Sequence, residues 1–240
     1  MLRYVQAKRN ARKFLALTGI TPQEFNRLLP AFEHAYAQAF PVHLTQTRKP
    51  RQRKTGGGRK SPLEGIEQKL LFALVYQKTY PVQTLLGEVF ELSQSRTNEW
   101  IHRLLPILKD ALDDLGVLPE RDPHKFAQHE KRQGGSHDYL IDGTERRRQR
   151  PKNPEKQALH YSGKKKTHSD KNIVIAHRRT KRVGYLSQTY PGKRHDKKVA
   201  DAEPIVYPRR SKLGKDTGFQ GYEPCDCQTY QPKKNHARLS

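Results

Sequence analysis

The stretch Tyr139-Leu140-Ile141-Asp142-Gly143-Thr144-Glu145 is where the chain changes character. Before it, apolar residues recur at helical spacing. From it onward they come in short runs bounded by polar residues, the pattern of strands. Residues 138–142 read as a short apolar strand ending in an acid. Residues 171–176 are β-branched in the middle (Ile173, Val174, Ile175), and residues 183–187 read as a further strand. A short helix over 197–202 follows the Pro191-Gly192 turn, and 212–219 reads as a strand running into the turn at Gly218. Residues 224–240 carry many breakers and little pattern.

The acid that ends the first strand is the chemical signal. A carboxylate at the end of a buried strand is costly unless its charge is compensated, and a divalent metal does that. Asp216, before Thr217-Gly218, is a second strand-ending acid. Two such carboxylates suit the paired metals that stabilise attacking and leaving oxygens in phosphodiester chemistry. Arg146, Arg147, Arg148 and Arg150, with Lys164, Lys165 and Lys166, put cations around the first acid. Each aspartate taken alone has an ordinary reading as a turn residue before glycine.

Upstream, Thr21-Pro22-Gln23-Glu24 reads as a capping box with proline at the first helical position. Phe25, Leu28, Leu29, Phe32 and Tyr36 follow on one face, and Gly19 stops a shorter helix holding Phe14, Leu15 and Leu17. Residues 48–60 are a basic, glycine-rich linker with almost no apolar content, unable to bury a core. Ser61-Pro62-Leu63-Glu64 reads as a second capping box, opening a helix that ends near Lys78. Pro81 opens a shorter helix through Phe90, and Ser93 caps a third that runs towards Gly116, with Pro106 expected to kink or interrupt it.

Residues 83–104 have the spacing of a helix-turn-helix. Leu86 and Phe90 lie one turn apart, Gly87 falls where two helices must approach closely, Leu92 fills the turn, and Trp100 and Leu104 anchor the second helix. Gln94, Ser95, Arg96 and Asn98 would then face base edges, where arginine pairs with guanine and asparagine with adenine. Arg51, Arg53 and Lys54 in the linker are candidates for phosphate contact. By pattern alone a plain three-helix bundle with a polar face is the more ordinary description, since helical pairs are common, and Glu91 stands in the turn where glycine is often found. Charge tips the balance: 240 residues carry a net +23 and a pI near 10.1, with 33% hydrophobic and 30% charged residues. Such an excess calls for a polyanionic partner. No apolar run spans a membrane, and the N-terminus lacks the apolar stretch of a secretory signal. Cys225 and Cys227, one residue apart, read as reduced and incidental.

The ordered set Tyr139-Leu140-Ile141-Asp142-Gly143-Thr144-Glu145, Tyr161-Ser162-Gly163-Lys164-Lys165-Lys166-Thr167-His168, Pro191-Gly192-Lys193-Arg194-His195-Asp196 and Asp216-Thr217-Gly218-Phe219-Gln220-Gly221 resembles bacterial insertion-element transposases of the branch related to Harbinger elements. The likeness runs from about Ser61 onward. It implies an α+β chain: an N-terminal all-helical helix-turn-helix region, then an RNase H-like mixed-sheet α/β domain with an Asp-Asp-Glu triad that binds magnesium or manganese. Asp142 matches the first acid and Asp216 the second, as catalytic residues and metal ligands. The third, a glutamate on a later helix, has no match. Glu223 is the one glutamate among the residues after Asp216, and it stands beside Pro224. The domain is therefore expected to be incomplete, with the chain truncated or the first frame of a frameshifted element, binding metal weakly and not cutting alone.

The expected division is a helical region over 1–45, a linker over 46–60, a DNA-binding domain over 61–118 and a partial catalytic domain over 136–240. The resemblance implies double-stranded DNA as partner (terminal inverted repeats and target), a homo-oligomer on that DNA, and a bacterial cytoplasmic, nucleoid-associated setting. A DNA-binding remnant or repressor without catalysis and a basic RNA-binding protein are the alternatives.

Overall fold

The computed structural model describes residues 1–43, 49, 50, 52, 61–132 and 137–231. Arg51, Arg53, Lys54 and residues 232–240 lie outside the described residues, as does most of the expected linker. The chain forms two compact units, Met1–Val117 and Leu118–Ser240. The architecture is α+β, helical first and then a mixed sheet with helices. No helix among the described residues is long and apolar enough to cross a membrane.

The first unit is helical: α1 (Tyr4–Ala7), α2 (Ala11–Thr18), α3 (Pro22–Ala39), α4 (Ile66–Thr79), α5 (Gln83–Phe90) and α6 (Gln94–Asp114). Its boundaries follow local chemistry. Gly19 ends α2 at φ +78, a left-handed position that glycine takes without steric cost. Thr21 and Glu24 make both bonds of the expected capping box. The Ser61 box does not form. Ser61 Oγ accepts from Leu63 N–H in a local turn, and Gly65 at φ +82 becomes the N-cap, so α4 starts at Ile66. Pro106 does not break α6. It lies on the solvent face with His102, so water can meet the carbonyl that proline leaves unpaired.

Helices from either side of the 44–60 segment share one core. α3 packs on α6 and α2 on α4, burying Phe14, Phe25, Phe32, Leu70, Phe72, Phe90, Ile101 and Leu104. The extreme N-terminus is stitched in as well: Leu2 N–H donates to Val89 O at 2.8 Å and Gln68 Nε2 to Leu2 O at 2.6 Å. The described residues 1–43 and 61–117 therefore pack as a single body.

The second unit begins with α7 (Phe126–Arg132), which the sequence pattern did not announce. Then come β1 (Asp138–Arg147), α8 (Pro154–His160), β2 (Tyr161–Ser162), β3 (Thr167–His177), β4 (Val183–Leu186), β5 (Tyr190–Pro191), α9 (Asp196–Ala202), β6 (Ser211–Lys215), a 3-10 turn over Thr217–Phe219 and β7 (Cys227–Tyr230). β1 pairs antiparallel with β3 and parallel with β6; β3 pairs antiparallel with β4, and β6 parallel with β7. This is the expected mixed sheet of RNase H-like kind. One face carries Tyr139, Ile141, Ile173, Ile175 and Leu213, which share a core with Phe126 of α7 and with Val199 and Ala200 of α9.

Two sequence expectations about β1 need correction. It does not stop at Asp142 but runs to Arg147, because its polar second half is paired along β3, from Gly143↔Ile173 to Arg147↔Ser169. Asp142 is also exposed, not buried, since side chains alternate along a strand and Ile141 takes the core side. The desolvation cost that motivated a compensating metal is therefore absent.

Candidate active site and nucleic-acid interface

What ends at Asp142 is the parallel ladder. The last matched pair of β1 and β6 is Ile141↔Lys215, and the next residues are Asp142 and Asp216. Neighbouring strands lie about 4.8 Å apart, so residues 74 positions apart in sequence (216 − 142) stand side by side where the β1–β6 ladder ends. Both are exposed. Each spends one oxygen on a nearby backbone donor: Asp142 Oδ1 accepts from Gly143 N–H at 2.7 Å, and Asp216 Oδ1 from Gly218 N–H at 2.9 Å. Carboxylate oxygens are hard donors of the kind magnesium takes.

A third carboxylate stands behind them. Asp196, the first residue of α9, is pressed against both glycines: a Cβ on Gly143 would lie 2.6 Å from Asp196 Oδ1, and a Cβ on Gly218 3.1 Å from Asp196 Oδ2 and 3.1 Å from Asp216 Oδ1. A side chain at Gly143 would have to displace the Asp196 carboxylate, and one at Gly218 would crowd it. Asp196 is held by Lys171 Nζ at 2.7 Å, and the same buried ammonium donates to Arg194 O at 2.8 Å and lies 3.4 Å from Glu145 Oε1. Burial alone would raise the Glu145 carboxyl, but hydrogen bonds from Ser162 and Ser169 and the Lys171 charge outweigh it and hold it below its ordinary value. The motif reading contained Glu145 and Asp196 but gave neither a role. Nothing local marks them, because their common partner Lys171 lies on another strand.

The pair of aspartates fits a magnesium-type ion, which takes oxygen donors and needs only one or two protein carboxylates. Among the described residues, no group of three or more His, Cys, Asp and Glu side chains is arranged to hold a metal. Glu223 is not a third ligand. It pairs with the buried Lys215 Nζ and accepts from Thr229, bonds that keep its carboxyl below the ordinary value.

In the first unit, α5 and α6 meet at a tight turn. A Cβ on Gly87 would lie 2.5 Å from Leu92 O, so glycine is required for that approach. Glu91 adopts the left-handed conformation at φ +56, and its carboxylate lies 3.0 Å from the N-terminal amine of Met1. Ser93 caps α6 through Arg96 N–H. The candidate readers Gln94, Ser95, Arg96 and Asn98 all lie in the first turns of α6; the first three are exposed and Asn98 is half-buried. Gln94 Nε2 donates to Gln83 Oε1 at 2.6 Å, tying together the starts of the two helices. Arg96 donates to Glu99 at 2.6 Å, and Glu99 also binds Arg103.

Residues 141–240 match the family model described as DDE superfamily endonuclease, and residues 61–114 match the helix-turn-helix of DDE superfamily endonuclease. No curated protein and no solved structure matches the chain. The endonuclease segment takes in β1 from Ile141 and so both aspartates, and the helix-turn-helix segment takes in α4, α5 and α6 to its last residue. Cys225 and Cys227, in the same DDE-superfamily segment, are free thiols, and burial pushes Cys227 up to about 11.

Proposed function

We propose that this chain is a transposase of the insertion-element type, of the branch related to Harbinger elements, acting on the ends of its element as an oligomer on DNA. In this reading 61–118 is the DNA-binding domain, 1–45 buttresses it, 46–60 is the basic linker and 136–240 carries the cleavage site. The observation that supports it best is the parallel register of β1 and β6, which sets Asp142 and Asp216 side by side at the ladder's end. These two would hold magnesium or manganese, which when bound neutralises charge on the phosphodiester oxygens. Gly143 and Gly218 N–H groups fix one oxygen of each aspartate. Asp196, anchored by Lys171, packs against Gly143 and Gly218 and keeps the end of the β1–β6 ladder in shape. In the first unit, Arg96 and Asn98, with Gln94 and Ser95, face the major groove, and Arg51, Arg53 and Lys54 contact phosphates.

The test of the site is manganese binding, followed by paramagnetic broadening. Weak binding is expected, lost in Asp142→Asn and in Asp216→Asn; wild-type binding by either variant overturns the site. For recognition, Arg96→Ala is expected to cost roughly 1–3 kcal/mol and relax sequence preference. A loss equal on every duplex would remove Arg96 from base reading.

A second reading is a DNA-binding protein that does not cut. Sequence-preferring duplex binding that persists without any metal binding selects it.

A further inference from the structure

Residues 146–168 join the two central antiparallel strands, and they hold nine Lys and Arg residues against a single acid, Glu155. That excess is about a third of the chain's +23, in roughly a tenth of its length. The fold gathers these residues at one end of the sheet. Arg146 and Arg147 finish β1, α8 follows, and the turn from β2 to β3 carries Lys164, Lys165 and Lys166, all exposed. Some of the charge is used internally: Asp170 takes Arg148 and His160, both at 2.9 Å, and Arg146 donates to Asn172. Among the described residues, Arg147, Lys164, Lys165, Lys166 and Lys193 enter no ion pair.

Beside this turn lies a shallow, open groove of about 590 Å³, lined by Arg150, Pro154, Gln157, Ala158, Tyr161, His168 and Lys193, with no acid on its wall. Tyr161 is 44% exposed, and its ring meets His168 edge-on, with centroids 5.6 Å apart and planes at 71°. An exposed tyrosine alone is ordinary, and a charge run alone is a solvated face. An aromatic pair inside a cation-lined opening is a different object. It has the two parts of a single-strand platform: ring faces on which bases stack and positive charge that follows the backbone. A duplex hides its base faces, so the partner that uses both parts contains an unpaired base.

We propose that this groove receives an unpaired base of a DNA strand, stacked on the Tyr161 ring with His168 at its edge, and with its flanking phosphates on Lys164, Lys165, Lys166 and Lys193. Along β1 the end of the strand lies five residues beyond Asp142, about 17 Å at the usual strand rise. A strand lying on the platform therefore passes within reach of the two aspartates. The choice of DNA over RNA rests on the function proposed above; the platform itself does not use α6 or a metal.

The test uses the full chain in chelator, with a fluorescent duplex bearing an unpaired oligothymidine tail and a blunt duplex as reference. Wild type is expected to prefer the tailed DNA. Tyr161→Ala should reduce that preference by about 5- to 100-fold, the range for one lost stacked base, while Tyr161→Phe retains it and blunt-duplex affinity stays unchanged. Alanine at Lys164, Lys165 and Lys166 together should weaken both DNAs and flatten the salt dependence. Arg96→Ala should keep the tail preference, which separates this proposal from the helix-turn-helix reading. Equal wild-type affinity for tailed and blunt DNA overturns it, as does an undiminished preference in Tyr161→Ala. Tighter binding of an RNA tail assigns the surface to RNA and also overturns it.

Discussion

The two units of this chain solve the problem of a core in opposite ways. The first buries hydrocarbon: Phe14, Phe25, Phe32, Leu70, Leu71, Phe72, Leu104 and their neighbours. Its buried polar side chains are Thr18, Gln68 and Thr97, all bonded to nearby or N-terminal backbone. The second unit's core is built on Tyr139, Tyr185, Tyr207 and Tyr222, and it buries Glu130, Lys171, His177, Glu203 and Lys215 as well. Each of these is partnered. Glu130 holds His177, Arg182 and the Tyr139 hydroxyl. Glu203 accepts from Tyr185, Tyr190 and the Gln188 N–H. A chain only 33% hydrophobic can thus form a second core, provided its polar groups find one another. The difference teaches where each unit is vulnerable: the first to cavities, the second to orphaned charge.

The comparison breaks most sharply at Glu130, whose side chain is fully buried. Glu130→Ala leaves Arg182 and His177 without their carboxylate and is expected to cost about 3–5 kcal/mol, all of it in the second unit. Trp100 is the chain's single tryptophan and belongs to the first unit, so its fluorescence transition should hold while the loss of amide-exchange protection in β1 and β3 moves to lower temperature. Equal shifts in both signals mean one cooperative body and undo the contrast.

The mirror experiment is Leu104→Ala, at a fully buried position in α6. Its cost of about 2–5 kcal/mol comes from lost burial and the cavity left behind. The tryptophan transition should now fall while the second unit's stays.

Acid sharpens the contrast. Glu145 is held below its ordinary value of 4.5 in the folded chain, so it contributes stability that is present above that value and lost as the pH falls through the lower, folded one. Glu24 and Glu99 in the first unit are lowered too, by Thr21 and by Arg96, but they lie near the surface, where solvent screens the gain. Acidification below about 4.5 should therefore lower the second transition more than the first. Lys171→Met, which removes the charge facing Glu145, should shrink that difference; an unchanged acid response places its origin elsewhere.

The smallest effect is expected at Ser93, the N-cap of α6. Ser93→Ala should cost about 1 kcal/mol, seen by tryptophan fluorescence alone.

Much of this molecule was determined by sequence acting locally. The Thr21–Glu24 box, the Gly19 stop, the Ser93 cap and the Gly87 close approach were all legible, because each depends on residues within one or two turns. The strand character of 171–176 was legible for the same reason. Where a local rule had a local competitor, the reading failed: Gly65 displaced the Ser61 box. Only the tertiary structure decided the rest. β1 extends past Asp142 because β3 supplies hydrogen-bond partners to a polar stretch that has no strand pattern of its own. Asp142 and Asp216 become neighbours through a parallel register, which no spacing in the chain encodes. Asp196, Glu145 and Lys171 converge from three elements, and α7 joins the second core because Glu130 finds His177 and Arg182 there. Long-range pairing costs chain entropy that only the assembled sheet offsets, so its outcome appears in no single segment.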